Sequence, residues 1–417
     1  LNGLAADQAA LAPQRQGEHM TGPSSSRRII HVTSSISREG GGIPPVIWSL
    51  AGQTQKLGVQ TIVGGLRDNH SEIDSADASG KVITGEVLGP RTLGFSPQLR
   101  RTLNREVCSS DIVHAHGLWM YPGVLAAGLS RRKGCKRVVS PHGMLEPWAL
   151  KHSAIKKRFA GWCFERRNLQ TADCLHALCA REAQNFRNYG LDNPIAIIPN
   201  GVNLNGLPAA GENDHVLREY PELRDRKIIL FLSRVHPKKG LPDLLQAWAK
   251  AKPRQKDWAL MVVGPDELGH EAELRKMVDG LGIKQDIVFA GPAYGQRKSM
   301  LFSFAHAFVL PSHSEGFSMA ILEAAAAGLP ILLTEECNFP ELGAAGAAIE
   351  VPAGLIGVSE GLSRFLALTD LEREEMGNKG LELVRQSYTW PAIARELMGV
   401  YNWLAEAGPR PGCIQTC

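Results

Sequence analysis

Two successive α/β domains, each a doubly wound parallel sheet, are predicted by three observations. The chain has 417 residues, too many for one ordinary core and enough for two with a cleft between them. Short β-branched or apolar runs alternate with longer helical segments, the pattern of a parallel sheet covered by helices. That pattern stops in a polar, Gly/Pro-punctuated stretch at 206–226 and then starts again.

Residues 1–26 mix Ala, Gln, Ser, Gly and Pro without the basic start and apolar run of a signal peptide, so they read as a flexible lead-in. The first sheet takes strands from 29–32, 61–63, 112–115, 137–140 and 175–177, with a loop at 39–43 and a helix at 46–57. After 195–199 and the Asn200-Gly201 turn, the second sheet begins at 228–232. It continues through 260–263, 287–289, 307–310 and 330–333, with helices at 241–251 and 318–327. A last helix starts at Pro391, which suits a first turn, and runs to about Glu406. The boundaries are therefore 1–27, 28–203, 204–386 and 387–417.

Composition is that of a globular chain, 44% hydrophobic with 43 Gly and 25 Pro, which excludes a disordered or fibrous protein. The formal charge of +4 conceals +9 in residues 1–200 and −5 in 201–417. The basic half suits anionic lipid, nucleic acid or a phosphorylated acceptor, or is a solvated surface. The eight cysteines form no C-x-x-C pair and no metal-ligand spacing, so they read as reduced thiols. No uncharged apolar run reaches the roughly 18 residues needed to span a bilayer. The expected place is the cytoplasm, including the inner membrane surface.

In open α/β sheets ligands bind beyond the carboxyl ends of strands, so the chemistry is sought there. Gly40-Gly41-Gly42 follows the first strand and precedes a helix, which fits a diphosphate cradle and fits a structural tight turn equally. Arg234 and Lys239 share the loop after 228–232, where two cations neutralise a diphosphate leaving group or form a basic surface loop. In 311–323, Glu315 and Glu323 lie eight residues apart. A helix starting near Gly316 would place Glu323 about two turns along it. The N–H groups of Gly316, Phe317, Ser318 and Met319 would then point at a phosphate or at sugar hydroxyls. Glu315 accepts from sugar hydroxyls, and Glu323 from the two ribose hydroxyls of a nucleotide.

Together with Pro199-Asn200-Gly201-Val202, these motifs resemble glycosyltransferase family 4 over roughly 28–406. The resemblance implies the GT-B fold: two Rossmann-like domains, a cleft between them and a C-terminal helix crossing back to the first. It implies a retaining sugar transfer from a nucleotide-sugar, with Arg234 and Lys239 on the donor diphosphate and Gly41 and Gly42 behind it. Glu315 lies near the transferred sugar and Glu323 on the ribose. His142, in Ser140-Pro-His-Gly-Met144, matches the family's cleft histidine, so His142 and Glu315 are the catalytic candidates. The leaving phosphate takes the acceptor proton, so no dedicated base is implied. Among the other histidines His116 is the candidate acceptor contact, and His313 reads as structural.

His114, His116 and His142 lie on separate segments without a metal-ligand spacing, so no metal is expected. Segments 142–148 and 337–341 resemble a subgroup associated with exopolysaccharide, capsule and O-antigen assembly, which implies a lipid-linked saccharide acceptor. Residues 151–170 carry six Lys/Arg with Phe159, Trp162 and Phe164 interleaved. That composition suits an anionic membrane surface or a helix with buried aromatics. No recognised nucleic-acid motif accompanies it, so no nucleic-acid partner is expected. A nucleotide-sugar epimerase of the same fold and a non-catalytic donor- or glycan-binding subunit are the rival readings.

Overall fold

The strands are nearly all parallel because every neighbouring pair in sequence is separated by a crossover long enough to hold a helix. The computed structural model describes residues 27–76, 79–151, 164–204, 214–251 and 257–416. The lead-in 1–26 and residues 152–163 of the basic, aromatic segment lie outside them. The first sheet contains β1 (Ile29–Thr33), β2 (Thr61–Leu66), β3 (Lys81–Gly85), β4 (Ile112–His116), β5 (Lys136–Ser140), β6 (Cys174–Ala177) and β7 (Ile195–Ile197). The second contains β8 (Lys227–Leu232), β9 (Trp258–Val263), β10 (Ile287–Gly291), β11 (Ala307–Leu310), β12 (Ile331–Thr334) and β13 (Ala348–Val351). Both follow one doubly wound order, β3-β2-β1-β4-β5-β6 and β10-β9-β8-β11-β12-β13. These are the two Rossmann-like domains of a GT-B fold.

Chain reversal of strand order falls between β1 and β4 in one sheet and between β8 and β11 in the other. Such switch points open a crevice at the carboxyl ends of the strands, so each domain offers one.

The first sheet is extended by β7 and by β14 (Ile414–Gln415), which pairs antiparallel with β7 and which sequence patterning did not anticipate. Two residues at the far end of the chain carry no periodic signal. Just before them the helix Trp390–Leu404 lies on the first sheet, where Trp390, Ile393, Leu397 and Tyr401 pack with Ile29, Ile112, Val138 and Cys174. The opposite face, Ile30, Val32, Val113 and Val139, packs into a separate core. The alternation is the period of two of a strand.

Two chain segments meet side by side at the junction, where Val202 bridges Thr389 and its N–H donates to the Tyr388 carbonyl at 2.8 Å. A Cβ on Gly201 would lie 2.7 Å from the Trp390 nitrogen, so this approach admits only glycine. Within the stretch expected to be a plain connection, residues 205–213 lie outside the described set. The helix Asp214–Glu219 follows them, with Val216 buried in the second core.

Candidate active site

The second-domain loops after β8 and β11 interlock. The turn Pro237–Lys239 ends at Gly240, in the left-handed region at φ 70. A Cβ there would sit 1.9 Å from the Pro311 carbonyl oxygen. Only glycine lets the loops close, and the closure buries Lys239 against Glu315, with side chains 7% and 8% exposed. Ser312 Oγ donates to the same Glu315 oxygen. The Asn338 side-chain amide donates to the Glu315 carbonyl, and Thr334 Oγ1 to that of Ser312 at 2.6 Å. Burial alone would raise the Glu315 carboxyl, but the Lys239 charge and the side-chain hydrogen bonds from Lys239 and Ser312 outweigh it and hold it below its ordinary value.

The first domain closes on the same peptide. Ser314 Oγ donates to Glu146 at 2.9 Å, Cys179 Sγ contacts the Gly316 carbonyl at 3.5 Å, and Arg181 donates to Asn338 at 3.2 Å. Gly316 and Gly143 meet backbone to backbone: a Cβ on Gly316 would lie 3.2 Å from the Gly143 Cα. Trp148 reaches across, its ring 5.6 Å from that of His236 and 5.0 Å from the Lys238 ammonium.

His142 and Gly143 form a left-handed corner after β5, at φ 53 and 75. Glu182 pins it, accepting from the N–H of Gly143 at 2.6 Å and of Leu178 at 2.7 Å. Burial pushes the Glu182 carboxyl up to about 7 against those two bonds.

A second part of the site is a cleft of about 560 Å³ lined by Gly41 and Gly42 from one domain and Tyr294, Lys298, Met319 and Glu323 from the other. Lys298 Nζ lies 2.6 Å from Glu323 Oε1. Gly41 is at φ 65, and no atom lies within 4 Å of a Cβ built on Gly41 or Gly42, so the cradle is open to a ligand.

Beneath the cleft runs a layer of buried polar side chains. His31, His114, His116, Ser140 and His176 share the β-sheet face covered by the helix Trp390–Leu404. One chain has its proton order fixed by its end. His176 Nε2 faces the Ile198 carbonyl at 2.8 Å and must donate, so His176 Nδ1 accepts from Ser140 Oγ at 2.7 Å. Ser140 therefore accepts from His114 Nε2 at 2.6 Å, and Tyr401 donates to His114 Nδ1 at 2.7 Å. A second chain links His31 Nδ1 to His116 Nε2 at 2.9 Å and His116 Nδ1 to His142 Nε2 at 3.0 Å. Burial lowers all five imidazoles, His31 and His176 to about 4.

The sequence candidates thus separate. Lys239, Glu315 and Gly316 lie at the domain contact, and Gly41, Gly42, Met319 and Glu323 line the cleft. Arg234 points outward and pairs with Glu267 at 2.7 Å, both half exposed. Phe317 turns onto Phe339, 5.2 Å between rings. The helix expected near Gly316 begins at Met319 with Ser318 as its N-cap, so Glu323 lies about one turn in, not two, and Gly316 and Phe317 offer no helical N–H.

His116 is corrected. It is 3% exposed with both ring nitrogens turned to histidines, which leaves none for an acceptor hydroxyl. The separation of the histidines in sequence is also no barrier to their meeting, since ligand atoms of His31, His114 and His116 lie within 4.8 Å of one another. The nitrogens of His114 and His116 are already engaged in the hydrogen bonds above. Lys298, Tyr294, Glu146 and Glu182 escaped the sequence reading. Lys298 alone carried a usable sign, being a cation one turn into a helix that follows a strand of the second sheet.

Residues 41–201 match the family described as "Glycosyl transferase 4-like domain" and residues 214–380 the one described as "Glycosyl transferases group 1". The chain is 31% identical over 335 residues to the phosphatidyl-myo-inositol mannosyltransferase of Mycobacterium leprae, covering 76% of this chain and 80% of that one. It is 25% identical over 330 residues to the GDP-mannose:cellobiosyl-diphosphopolyprenol alpha-mannosyltransferase of Xanthomonas oryzae pv. oryzae, with the same coverage. Its fold is similar to that of Anabaena HepE in complex with UDP, at a TM-score of 0.73 and 18% identity, covering 90% of this chain and 100% of the other. With two GT-B domains, an interdomain cleft and these relatives, the chain belongs to the group 1, family 4-type glycosyltransferases.

Proposed function

We propose that this glycosyltransferase is retaining and metal-independent, and moves a sugar from a nucleotide-sugar held by the second domain to a lipid-linked saccharide on the first, in surface-polysaccharide assembly. The cleft carries this reading: an open glycine corner from one domain faces a Lys298–Glu323 pair from the other. Glu323 keeps one oxygen on Lys298 and offers the other to ribose hydroxyls. Gly41 and Gly42 present backbone to the diphosphate. An ammonium has three donors, so Lys239 can hold Glu315 and still reach a phosphate. Arg234 joins it by exchanging Glu267, an exposed pair worth only about 0–1 kcal/mol.

Glu315 and His142 flank the transferred sugar, Glu315 as an acceptor of its hydroxyl hydrogens and His142 as a neutral ring. The leaving phosphate takes the acceptor proton on the same face, so no side chain acts as base. Closure of the domains about the Val202–Thr389 junction excludes water from the activated sugar. The proposed place is the cytoplasmic face of the membrane. Among the described residues no helix is long and apolar enough to cross one. The basic segment 151–170, partly outside the described residues, is the proposed lipid-facing element.

The relatives named for GDP-mannose make guanosine the first base to test. In a thermal-shift panel of uridine, guanosine and adenosine diphosphates, one base is expected to stabilise the wild type by about 2.7 kcal/mol at 100 Kd. Glu323→Ala should lose most of that shift; an unchanged shift removes Glu323 from the donor site. Turnover is expected to survive EDTA within twofold. Abolition by EDTA and rescue by one divalent ion would overturn the metal-independent reading.

A further inference from the structure

The two buried chains of polar side chains differ at their ends. The Ile198 carbonyl fixes the first and makes His176 and His114 both Nε2–H rings. The second, His31 to His116 to His142, ends on no such group. His31 Nε2 is buried without a partner. His142 is half-buried, and among the described residues its Nδ1 is neither hydrogen-bonded nor sealed away.

Burial keeps these three rings neutral, so each carries one proton. The contacts of His31 Nδ1 with His116 Nε2 and of His116 Nδ1 with His142 Nε2 each need one proton and one lone pair. Any mixture of tautomers puts two protons or two lone pairs into one of these contacts. Only two orders remain: all three rings protonated on Nδ1, or all three on Nε2. The tautomer of His142 is therefore tied to that of His31, a ring it does not touch. Ring orientation is held as well, since His116 stacks on His114 at 4.1 Å and its plane lies 21° from that of His142.

The open end decides between the orders. In the all-Nδ1 order His142 turns an N–H outwards, and the three ring dipoles align with their positive ends in that direction. In the all-Nε2 order it turns a lone pair outwards and strands an N–H at His31. A nucleotide-sugar is an anion, so a bound donor favours the first. We propose that His116 and His31 are positioning residues that, with the donor bound, hold His142 as the Nδ1–H tautomer, a hydrogen-bond donor to a hydroxyl of the transferred sugar. This rests on the reading that His142 flanks that sugar.

The test labels the histidine ring nitrogens of the full chain and reads each tautomer from nitrogen–proton correlation NMR spectra. Spectra are taken without nucleotide and with the diphosphate, of guanosine, uridine or adenosine, that stabilises the fold; single His→Gln variants assign the rings. Without nucleotide, His31, His116 and His142 should share one tautomer. With it all three should be Nδ1–H, against Nε2–H at His114 and His176 in the same spectra. Mixed tautomers among the three, or Nε2–H at His142 with nucleotide bound, would overturn the proposal. If no diphosphate stabilises the chain, the donor-site reading fails by itself, and the nucleotide-free spectrum still decides whether the rings are coupled.

In turnover, His116→Phe keeps a ring to stack on His114 but no ring nitrogen. It should lower kcat/KM about tenfold, the loss of one hydrogen bond, while diphosphate affinity stays within about threefold because the lost bond is to the sugar. His116→Gln keeps one donor and one acceptor and should recover most of that rate. Equal losses in the two variants would make His116 a packing residue only. Where His116→Phe does not fold, the wild-type spectra decide.

Discussion

Lowering the pH from 7.5 to 5.5 is expected to cost the fold about 3 kcal/mol, well above the range where ordinary carboxylates titrate. His31, His114, His116 and His176 are fully buried, and burial holds each below the usual imidazole value. They stay neutral in the fold, whereas in the unfolded chain they take up a proton below about 6.5. Their contribution is therefore complete above pH 6.5 and is lost as the pH falls below it towards the lowered folded values, about 4 for His31 and His176. Over the stated range each ring costs about 1.4 kcal/mol, roughly 5 in all.

Glu182 works against them. Its folded carboxyl, raised to about 7, takes up a proton that the unfolded chain does not bind until lower pH, and so returns about 2 kcal/mol. His142 is left out of the sum because its ring is partly exposed and solvent screens it. Denaturant unfolding at pH 7.5, 6.5 and 5.5 checks the sign and size. Stability that stays flat or rises on acidification would refute the neutral layer. For a domain whose whole margin is typically about 5–15 kcal/mol, the loss is large.

Lys239→Ala should destabilise the chain by about 3–5 kcal/mol and abolish measurable turnover. The variant strands the Glu315 carboxylate in a buried pocket with Ser312 as its remaining side-chain donor. An account based on donor binding alone predicts lost turnover with intact stability, so urea unfolding separates the two roles. Lys239→Met with Glu315→Gln removes both charges and should recover most of the stability, since a neutral pair carries no stranded ion, yet recover no turnover. Unfolding of Lys239→Ala within 1 kcal/mol of wild type would deny the buried pair its structural part.

Much of the fold was legible because its signals are local. Runs such as those of β8 and β11 are apolar throughout, as buried parallel strands require, and Gly-rich corners mark the strand ends. Gly41, Gly42, Lys239, Glu315 and Glu323 could be singled out because each follows a strand. The apolar run gave the helix at 318–327, but the earlier start near Gly316 fails because the Gly316 carbonyl meets Cys179 of the other domain and Phe317 packs on Phe339 of its own. His116 looked available because strand position says nothing of what a ring nitrogen meets. Its partners, His31 and His142, lie 85 and 26 residues away. Glu182 was invisible for the same reason, since it acts on N–H groups brought near only by tertiary packing, and Lys298 carried no sign beyond its place one turn into a helix after a strand.

The cover supplied by residues 390–415 also has a meaning in time. Ile29, Ile112, Val138 and Cys174 lie on a face that Val46 and Leu50 cover in part and that the helix at 390–404 and the eighth strand at 414–415 complete. On a ribosome adding about 5–20 residues per second, the first sheet's parallel strands are complete roughly ten seconds or more before that cover is made. The second domain, whose core draws on residues 202–388, has all its parts earlier than the first has its own. The domain begun first is therefore the one finished last, and its apolar face must be shielded during the wait.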